Sequence, residues 1–285
     1  MAATVAANRL KIYASFIKVE HTVFSLPLIL SGTLLHLRGF PGLLVLALVV
    51  LAAICARVVA MGLNRIIDAE LDARNPRTQQ RELPRGALSV QEAWAIVVIA
   101  GALYAASAGA LAPICLWLSP IPVILFVIYP YLKRFTSLSH LGLGLTWSMA
   151  PLGGWLAASR SLDGLSEVGW LWLFSLLWIA GFDIIYATMD EAFDRKARLH
   201  SLPVRLGRGR ALRVAAALHA GALLALYLLW RSQLPSPLAL RWLEVTALVF
   251  VYQHMIAERN PAVAFFQVNG IIGFLVLGLV VTGMS

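Results

Sequence analysis

Pro41-Gly42-Leu43-Leu44-Val45-Leu46-Ala47-Leu48-Val49-Val50-Leu51-Ala52-Ala53-Ile54-Cys55-Ala56-Arg57-Val58-Val59-Ala60-Met61-Gly62-Leu63 runs directly into Asn64-Arg65-Ile66-Ile67-Asp68-Ala69-Glu70-Leu71-Asp72. The first stretch carries one charge, Arg57, and is as long as the ~20 residues that cross a bilayer as a helix. The second places Asn64, Asp68 and Asp72 four apart. On a helix each such step turns by ~40° and rises ~6 Å, so the three groups line one face. Carboxylates this close to hydrocarbon are costly, and by default they mark a functional site.

Working outward, the pattern repeats. Apolar runs cover residues 16–37, 41–63, 92–111, 113–132, 139–159, 168–189, 211–230, 239–257 and 263–284. The chain of 285 residues is 60% hydrophobic and 13% charged, against roughly 25% charged in a soluble domain. Backbone groups inside lipid must be satisfied within the chain, so the expected fold is all-α: a polytopic bundle of nine transmembrane helices. No linker or low-complexity segment divides it, and residues 1–285 are read as one domain. Asn8 to His21 mixes charged and apolar residues without a small-residue cleavage site, as an interfacial helix would. Cys55 and Cys115 both lie in apolar runs and read as buried small hydrophobes.

The net charge of +9 raises the question of nucleic acid, and its distribution answers it. With the N-terminus inside, 18 of the 23 Lys and Arg fall on the N-terminal segment and the loops of that same side. The other side has Arg38, Arg160, Arg231 and Arg241. This is the positive-inside rule, which places an integral protein in a membrane of the bacterial inner type and excludes nucleic acid as partner.

A second acidic cluster, Tyr186-Ala187-Thr188-Met189-Asp190-Glu191-Ala192-Phe193-Asp194, ends the sixth span on the same, cytoplasmic side. Half of the 14 carboxylates lie within residues 68–72 and 183–194. Together the four aspartates make a hard-oxygen site suited to Mg²⁺, which binds through one or two carboxylates, waters and phosphate oxygens. Basic side chains stand at the same mouth: Lys133 and Arg134 in Tyr129-Pro130-Tyr131-Leu132-Lys133-Arg134, then Arg77, Arg81, Arg85, Arg198 and Arg205. Paired acids with scattered bases are what a metal-bridged diphosphate requires. Glu70 and Glu191 point off the shared face and are expected in solvent. Arg57, two turns deeper than Asn64, needs a carboxylate from Asp183 or from a substrate. Ser89-Val90-Gln91-Glu92 reads as a capping box opening the third span. His21 and His140 are possible acid–base groups. Phe24, Tyr129, Tyr131, Trp147, Phe182 and Tyr186 are possible cavity-lining rings.

These residues carry a likeness. Asn64-Arg65-x-x-Asp68-x-x-x-Asp72-x-x-Asn75-x-Arg77-Thr78-x-x-Arg81-x-Leu83-Pro84-x-Gly86 resembles the first signature of the UbiA superfamily of intramembrane prenyltransferases. Tyr186-Ala187-x-x-Asp190-x-x-x-Asp194 is similar to its second, and Tyr129 to Arg134 to its fourth-span segment. The resemblance implies nine helices around a central cavity open to lipid, with two Mg²⁺ bridging a polyprenyl diphosphate to both clusters. It implies catalytic aspartates Asp68, Asp72, Asp190 and Asp194, which with Asn64 hold the metal. Arg57, Asn64, Lys133, Arg134, Tyr186, Arg77 and Arg81 become substrate-binding residues. The expected reaction is prenyl transfer to an aromatic carboxylate of the 4-hydroxybenzoate type in quinone biosynthesis.

The sequence departs from that pattern in two places. Arg65 follows Asn64 where the 4-hydroxybenzoate enzymes usually have Asp, and the later loop reads Leu199-His200-Ser201-Leu202-Pro203. A similar branch is associated with menaquinone synthesis, so 1,4-dihydroxy-6-naphthoate is the alternative acceptor. A transporter would spread charges through the membrane depth or break helices in pairs, and CDP-alcohol phosphotransfer would pack its acids into one signature. Neither pattern is present.

Overall fold

The computed structural model describes residues 2–284; the side chains of 2–8, 10 and 19–25 lie outside the described set, and with them the expectations for His21 and Phe24. The described residues form helices and no strands. In order these are α1 (Ala2–Ile17), α2 (Val19–Leu37), α3 (Leu43–Ile67), α4 (Ala69–Arg74), α5 (Val90–Leu111), α6 (Pro113–Leu118), α7 (Pro120–Leu132) and α8 (Ser139–Ser159). A 3₁₀ turn leads into α9 (Gly169–Ala187), followed by α10 (Glu191–Lys196), α11 (Leu202–Leu206), α12 (Arg208–Gln233) and α13 (Pro237–Ala257). The chain ends with α14 (Pro261–Val263), a π-helical turn (Ala264–Val268) and α15 (Asn269–Gly283).

Among the described residues, six helical stretches are long and apolar enough to cross a membrane: 43–67, 90–111, 113–132, 165–187, 208–233 and 261–283. Their outer faces are greasy, as at Leu43, Trp117, Leu224 and Ile271. Such surfaces suit hydrocarbon as solvent, and the chain is an integral membrane protein. The expected spans at 139–159 and 239–257 are helices α8 and α13, diluted by His140, Thr146 and glycines in one and by Arg241, Glu244, Gln253 and His254 in the other. The first expected span, 16–37, is α2 from Val19 on, and Lys18 in the left-handed region (φ 52°) separates it from α1. Ser89 caps α5 in the expected box, accepting from the Glu92 backbone while the Glu92 carboxylate accepts from that of Ser89 at 2.9 Å.

Packing closes a ring. α2 lies against α8 and α15, α3 against α5 and α7, α7 against α8, α8 against α9, α9 against α12, and α13 against α12 and α15. The α2–α8 contact is backbone on backbone: a Cβ at Gly154 would lie 2.0 Å from the Ile29 carbonyl oxygen, and one at Gly32 2.1 Å from that of Pro151. Without a hydrophobic drive between helices in lipid, small residues allow the close packing that holds them. α9 is the most enclosed long helix, with 61% of its apolar window buried against 17% for the α6–α7 stretch. Trp178, Phe174 and Leu171 fix it in the largest core cluster, and this rigid rod carries the second acidic cluster.

Candidate active site

Neither acidic cluster lies on one unbroken helix, which corrects the simplest expectation from spacing. α3 stops at Ile67, Asp68 stands at the junction (φ −93°, ψ 2°), and α4 begins at Ala69. α9 stops at Ala187, and Asp190 (φ −105°, ψ 2°) precedes α10. The local register survives the break, because Asp72 N–H donates to the Asp68 carbonyl and Asp194 N–H to the Asp190 carbonyl, both at 2.8 Å. Each break starts a new helix with acids in its first turn, Glu70 and Asp72 or Glu191 and Asp194. That is where a helix dipole favours negative charge.

Both clusters face one cleft of about 550 Å³, lined among others by Arg57, Asn64, Asp68, Asp72, Arg77, Arg81, Lys133, Tyr186, Asp190 and Asp194. The loop after the first cluster bonds directly to the second: Asn75 Nδ2 donates to Asp190 Oδ1 at 3.0 Å and Arg77 Nε to the same oxygen at 2.8 Å. Arg77 Nη2 holds Asp190 Oδ2, and its guanidinium lies over the Tyr186 ring, 4.7 Å from the centroid. Arg81 Nη1 donates to both oxygens of Asp72 at 2.8 and 2.7 Å. Lys133 Nζ donates to Asp68 Oδ2 at 2.6 Å. Asn64 Nδ2 reaches the same Asp68 oxygen at 3.4 Å and the Tyr129 hydroxyl at 3.0 Å. Glu70 is exposed, and Glu191 pairs with Arg195 on the outside.

Several expected residues sit elsewhere: Arg85, Arg198 and Arg205 do not line the cleft, and Arg205 Nη1 donates to Ser137 Oγ at 3.1 Å. Arg134 is not among the cleft-lining residues; its Nη2 donates to the Ile67 carbonyl at 2.9 Å and lies 3.7 Å from Asp68, so it braces the end of α3. Tyr131 is exposed beneath the Arg134 guanidinium rather than in the cavity. His140 Nε2 accepts from the Leu202 backbone N–H at 3.2 Å, which leaves the proton on Nδ1 to bond Asp183 at 2.7 Å. His140 therefore ties α8 to α9 and to the second loop. Arg57 lies over the Trp147 ring at 4.9 Å.

Below the cleft is an apolar chamber of about 450 Å³, walled by residues such as Val49, Ala52, Tyr104, Phe126 and Leu156. Arg57, Met61, Asn64, Tyr129, Leu143 and Trp147 border both spaces. The acids thus stand over a greasy pocket, with Asn64 and Tyr129 at the threshold.

The charge balance is tight. Burial pushes the Asp68 carboxyl above its ordinary range against the opposing pull of Lys133. Burial, then the neighbouring charge of Asp190, pushes Asp194 up to about 6. Asp68 Oδ1 is buried and receives no hydrogen bond. Among the described residues, no three His, Cys, Asp or Glu converge closely enough to hold a metal ion; Lys133, Arg81 and Arg77 stand against Asp68, Asp72 and Asp190 instead.

Asn75 was legible only through the family signature, and its bond to Asp190 joins the two halves of the site. Arg65, Glu82, Phe265, Phe266 and Asn269 also line the cleft. A buried Glu82, accepting from Ser15, carried no sequence signal beyond its place in the basic loop. Phe265 and Phe266 looked like any belt aromatics at a span end.

Comparison with known proteins agrees with this geometry. Residues 25–275 match the model of the UbiA prenyltransferase family. The 4-hydroxybenzoate octaprenyltransferase of Vibrio cholerae serotype O1 is 30% identical over 277 residues, 95% of this chain and 96% of that protein. The enzyme of that name from Vibrio atlanticus is 29% identical over 284 residues, 97% and 99% of the two chains. Among solved structures, a UbiA homolog from Aeropyrum pernix K1 superposes with a TM-score of 0.86 at 34% identity, covering 93% of this chain and 98% of its own. A UbiA homolog from Archaeoglobus fulgidus, solved with GPP and Mg²⁺, gives 0.70 at 19% identity over 96% and 99%, a likeness of fold. With the family model spanning most of its length and relatives aligned nearly end to end, the chain belongs to the UbiA prenyltransferase family.

Proposed function

We propose that the protein transfers a polyprenyl group from polyprenyl diphosphate to an aromatic carboxylate of the 4-hydroxybenzoate type in quinone biosynthesis, with Mg²⁺ as cofactor. The observation that carries this is the bond from Asn75 and Arg77 to Asp190, which joins both acidic clusters in one cleft over an apolar chamber. A diphosphate fits the charged cleft and a prenyl tail the chamber beneath it. Names of relatives support the acceptor, since the Vibrio cholerae and Vibrio atlanticus proteins are called 4-hydroxybenzoate octaprenyltransferases.

The donor set suits Mg²⁺. Asp68, Asp72, Asp190 and Asp194 with Asn64 offer hard oxygens, Asp68 Oδ1 is buried without a donor, and Asp194 is held up by burial and the charge of Asp190, which a cation would offset. When bound, the metal would neutralise charge on the departing diphosphate. The protein's own groups then have defined tasks. Lys133, Arg77 and Arg81 leave their carboxylates and turn to diphosphate oxygens, where preorganised donors favour the developing charge. Asn64 and Tyr129 hold the threshold where the allylic carbon lies. The chamber excludes water from the cation formed when the C–O bond breaks. An electron-rich ring carbon attacks that cation and loses its proton to a neighbouring base.

On this reading one domain covers residues 1–285, nine spans surround a central cavity open to lipid, and the site faces the cytoplasm at a bacterial inner membrane. The ring of helix contacts supports the first two statements and the 18 basic residues on one side support the last. The test is transfer from polyprenyl diphosphate to radiolabelled 4-hydroxybenzoate and 1,4-dihydroxy-6-naphthoate, offered side by side to purified protein. Faster transfer to 4-hydroxybenzoate is expected, a preference for the naphthoate moves the enzyme to menaquinone synthesis, and transfer to neither refutes the activity.

A further inference from the structure

The last span does not open as an α-helix. Ala264–Val268 form a π-helical turn before α15, a rare geometry that concentrates at functional sites. Two amides buried among apolar helices hold it. Asn269 Nδ2 donates to the Phe265 carbonyl at 2.9 Å and to that of Ala264 at 3.4 Å. Asn269 Oδ1 accepts from Trp178 Nε1 at 3.0 Å and from Gln253 Nε2 at 3.1 Å, and Gln253 Nε2 also donates to the Ala264 carbonyl at 2.8 Å. Every donor and acceptor of the Asn269 amide is therefore used. Gln253 Oε1 is buried and receives no bond, whereas the fully engaged Asn269 amide fixes one geometry for the turn. Nothing in the proposed chemistry requires it.

The turn delivers Phe265 to the wall of the cleft. Its ring lies 4.4 Å from that of Tyr186 and 5.3 Å from that of Phe182, the latter edge to face. Tyr186 in turn lies under the Arg77 guanidinium, and Arg77 holds Asp190. These three rings thus stand together beside the second acidic cluster, on the wall of a cleft that Tyr129 and Trp147 also line nearer the apolar chamber. We propose that the bay formed by Phe265, Tyr186 and Phe182 receives the ring of the aromatic acceptor, and that Asn269 and Gln253 are positioning residues that hold Phe265 there. Aromatic rings recognise a planar electron-rich partner by offset and edge-to-face contacts at centroid separations of about 4.5–7 Å. The donor's diphosphate has no such face. The inference rests on the acceptor being an aromatic acid, as proposed above.

Steady-state kinetics on full-length protein separates the possibilities. Phe265→Ala is expected to raise the acceptor KM about tenfold, the scale of one aromatic pair, with the donor KM changed less than about twofold. Phe265→Tyr should stay within about threefold of wild type. Asn269→Leu should raise the acceptor KM in the same way, and combined with Phe265→Ala it should add nothing, because it acts through that ring. Phe265→Leu, which keeps the volume, should show the same split if the alanine variant fails to fold. An unchanged acceptor KM in Phe265→Ala or Phe265→Leu, an equal rise in donor KM, or full additivity in the double variant overturns the assignment. Wild-type protein that prenylates neither aromatic acid refutes the activity itself, whereas an active wild type with an indifferent Phe265 refutes only the bay.

Discussion

Replacing Asp68 with Asn should leave a folded protein that barely turns over. Asp68 is 3% exposed and takes a charge-assisted bond from Lys133 at 2.6 Å, with Arg134 at 3.7 Å. Losing a bond of that kind costs about 1.5–3 kcal/mol. The Lys133 side chain is 34% exposed, so water can take up its charge, and the cost falls to about 1–2 kcal/mol. The effect on chemistry is larger. On the proposed reading Asp68 helps to hold the charge that balances the leaving diphosphate, and removing one group from such a preorganised site costs about 10²–10³ in kcat. The assay is kcat/KM for prenyl transfer at saturating Mg²⁺, beside a thermal melt in the same detergent. Glu191→Gln, which removes only the outward pair with Arg195, is the control and should leave both unchanged. Asp68→Asn keeping more than about a fifth of wild-type kcat/KM would refute the assignment at this magnitude, as would a loss no greater than the loss of folded protein.

Arg77→Met should raise the KM for polyprenyl diphosphate about tenfold, about 1.4 kcal/mol, because it removes a base from the diphosphate site and frees Asp190 and Tyr186; donor titrations check this. Treatment with EDTA should abolish transfer and added Mg²⁺ should restore it, with activity followed through dialysis. Gly154→Val should lower the melting temperature sharply, since even a Cβ would lie 2.0 Å from the Ile29 carbonyl oxygen and overpacking costs about 1–3 kcal/mol or more. Lys133→Met should destabilise the protein by about 2–3 kcal/mol by leaving Asp68 buried beside only the more distant Arg134; adding Asp68→Asn should recover most of that stability and none of the activity.

Much of this was legible because membrane sequences are strongly constrained. The apolar runs 41–63 and 168–189 read as helices in lipid, so the helical stretches found at 43–67 and 165–187 followed from composition, within a few residues at their ends. The aspartates were legible because charge beside hydrocarbon is rare. Spacing could not reveal the helix breaks at Asp68 and Asp190, since a four-residue repeat looks the same across a junction that keeps one i to i+4 bond. Arg134 and Lys133 are neighbours in sequence, and only the end of α7 decides that one turns into the cleft and the other against the Ile67 carbonyl. Asp183 could be read only as one of two possible carboxylate partners for Arg57, a substrate being the other, and its bond to His140 depends on the approach of α8 to α9. The π-helical turn at 264–268 is a tertiary feature. Its amides lie on α13 and α15 and meet only when those helices pack.

The pairing of acids with bases follows from the environment of the cleft. Four aspartates facing one space at the edge of a membrane would repel each other and lose hydration, and the upward shift of Asp194 is that penalty in the group with no guanidinium or ammonium against it. Arg81 and Arg77 stand against Asp72 and Asp190, and Lys133 opposes but does not cancel the burial that pushes Asp68 up, all at the cost of ordering flexible side chains. On the proposed reading the same three bases have a second set of partners, the oxygens of a diphosphate, while the aspartates take a divalent cation. Asp68, Asp72 and Asp190 then keep an opposite charge before and after the donor enters, and the cleft never exposes a bare cluster of one sign to the chamber below. A cluster of acids without movable bases would bind metal but repel the anionic donor, and a cluster of bases without acids would bind the donor but hold no metal. Loop 75–88, which brings Arg77 and Arg81 over helix ends fixed by α3 and α9, is therefore as much a part of the site as the aspartates themselves.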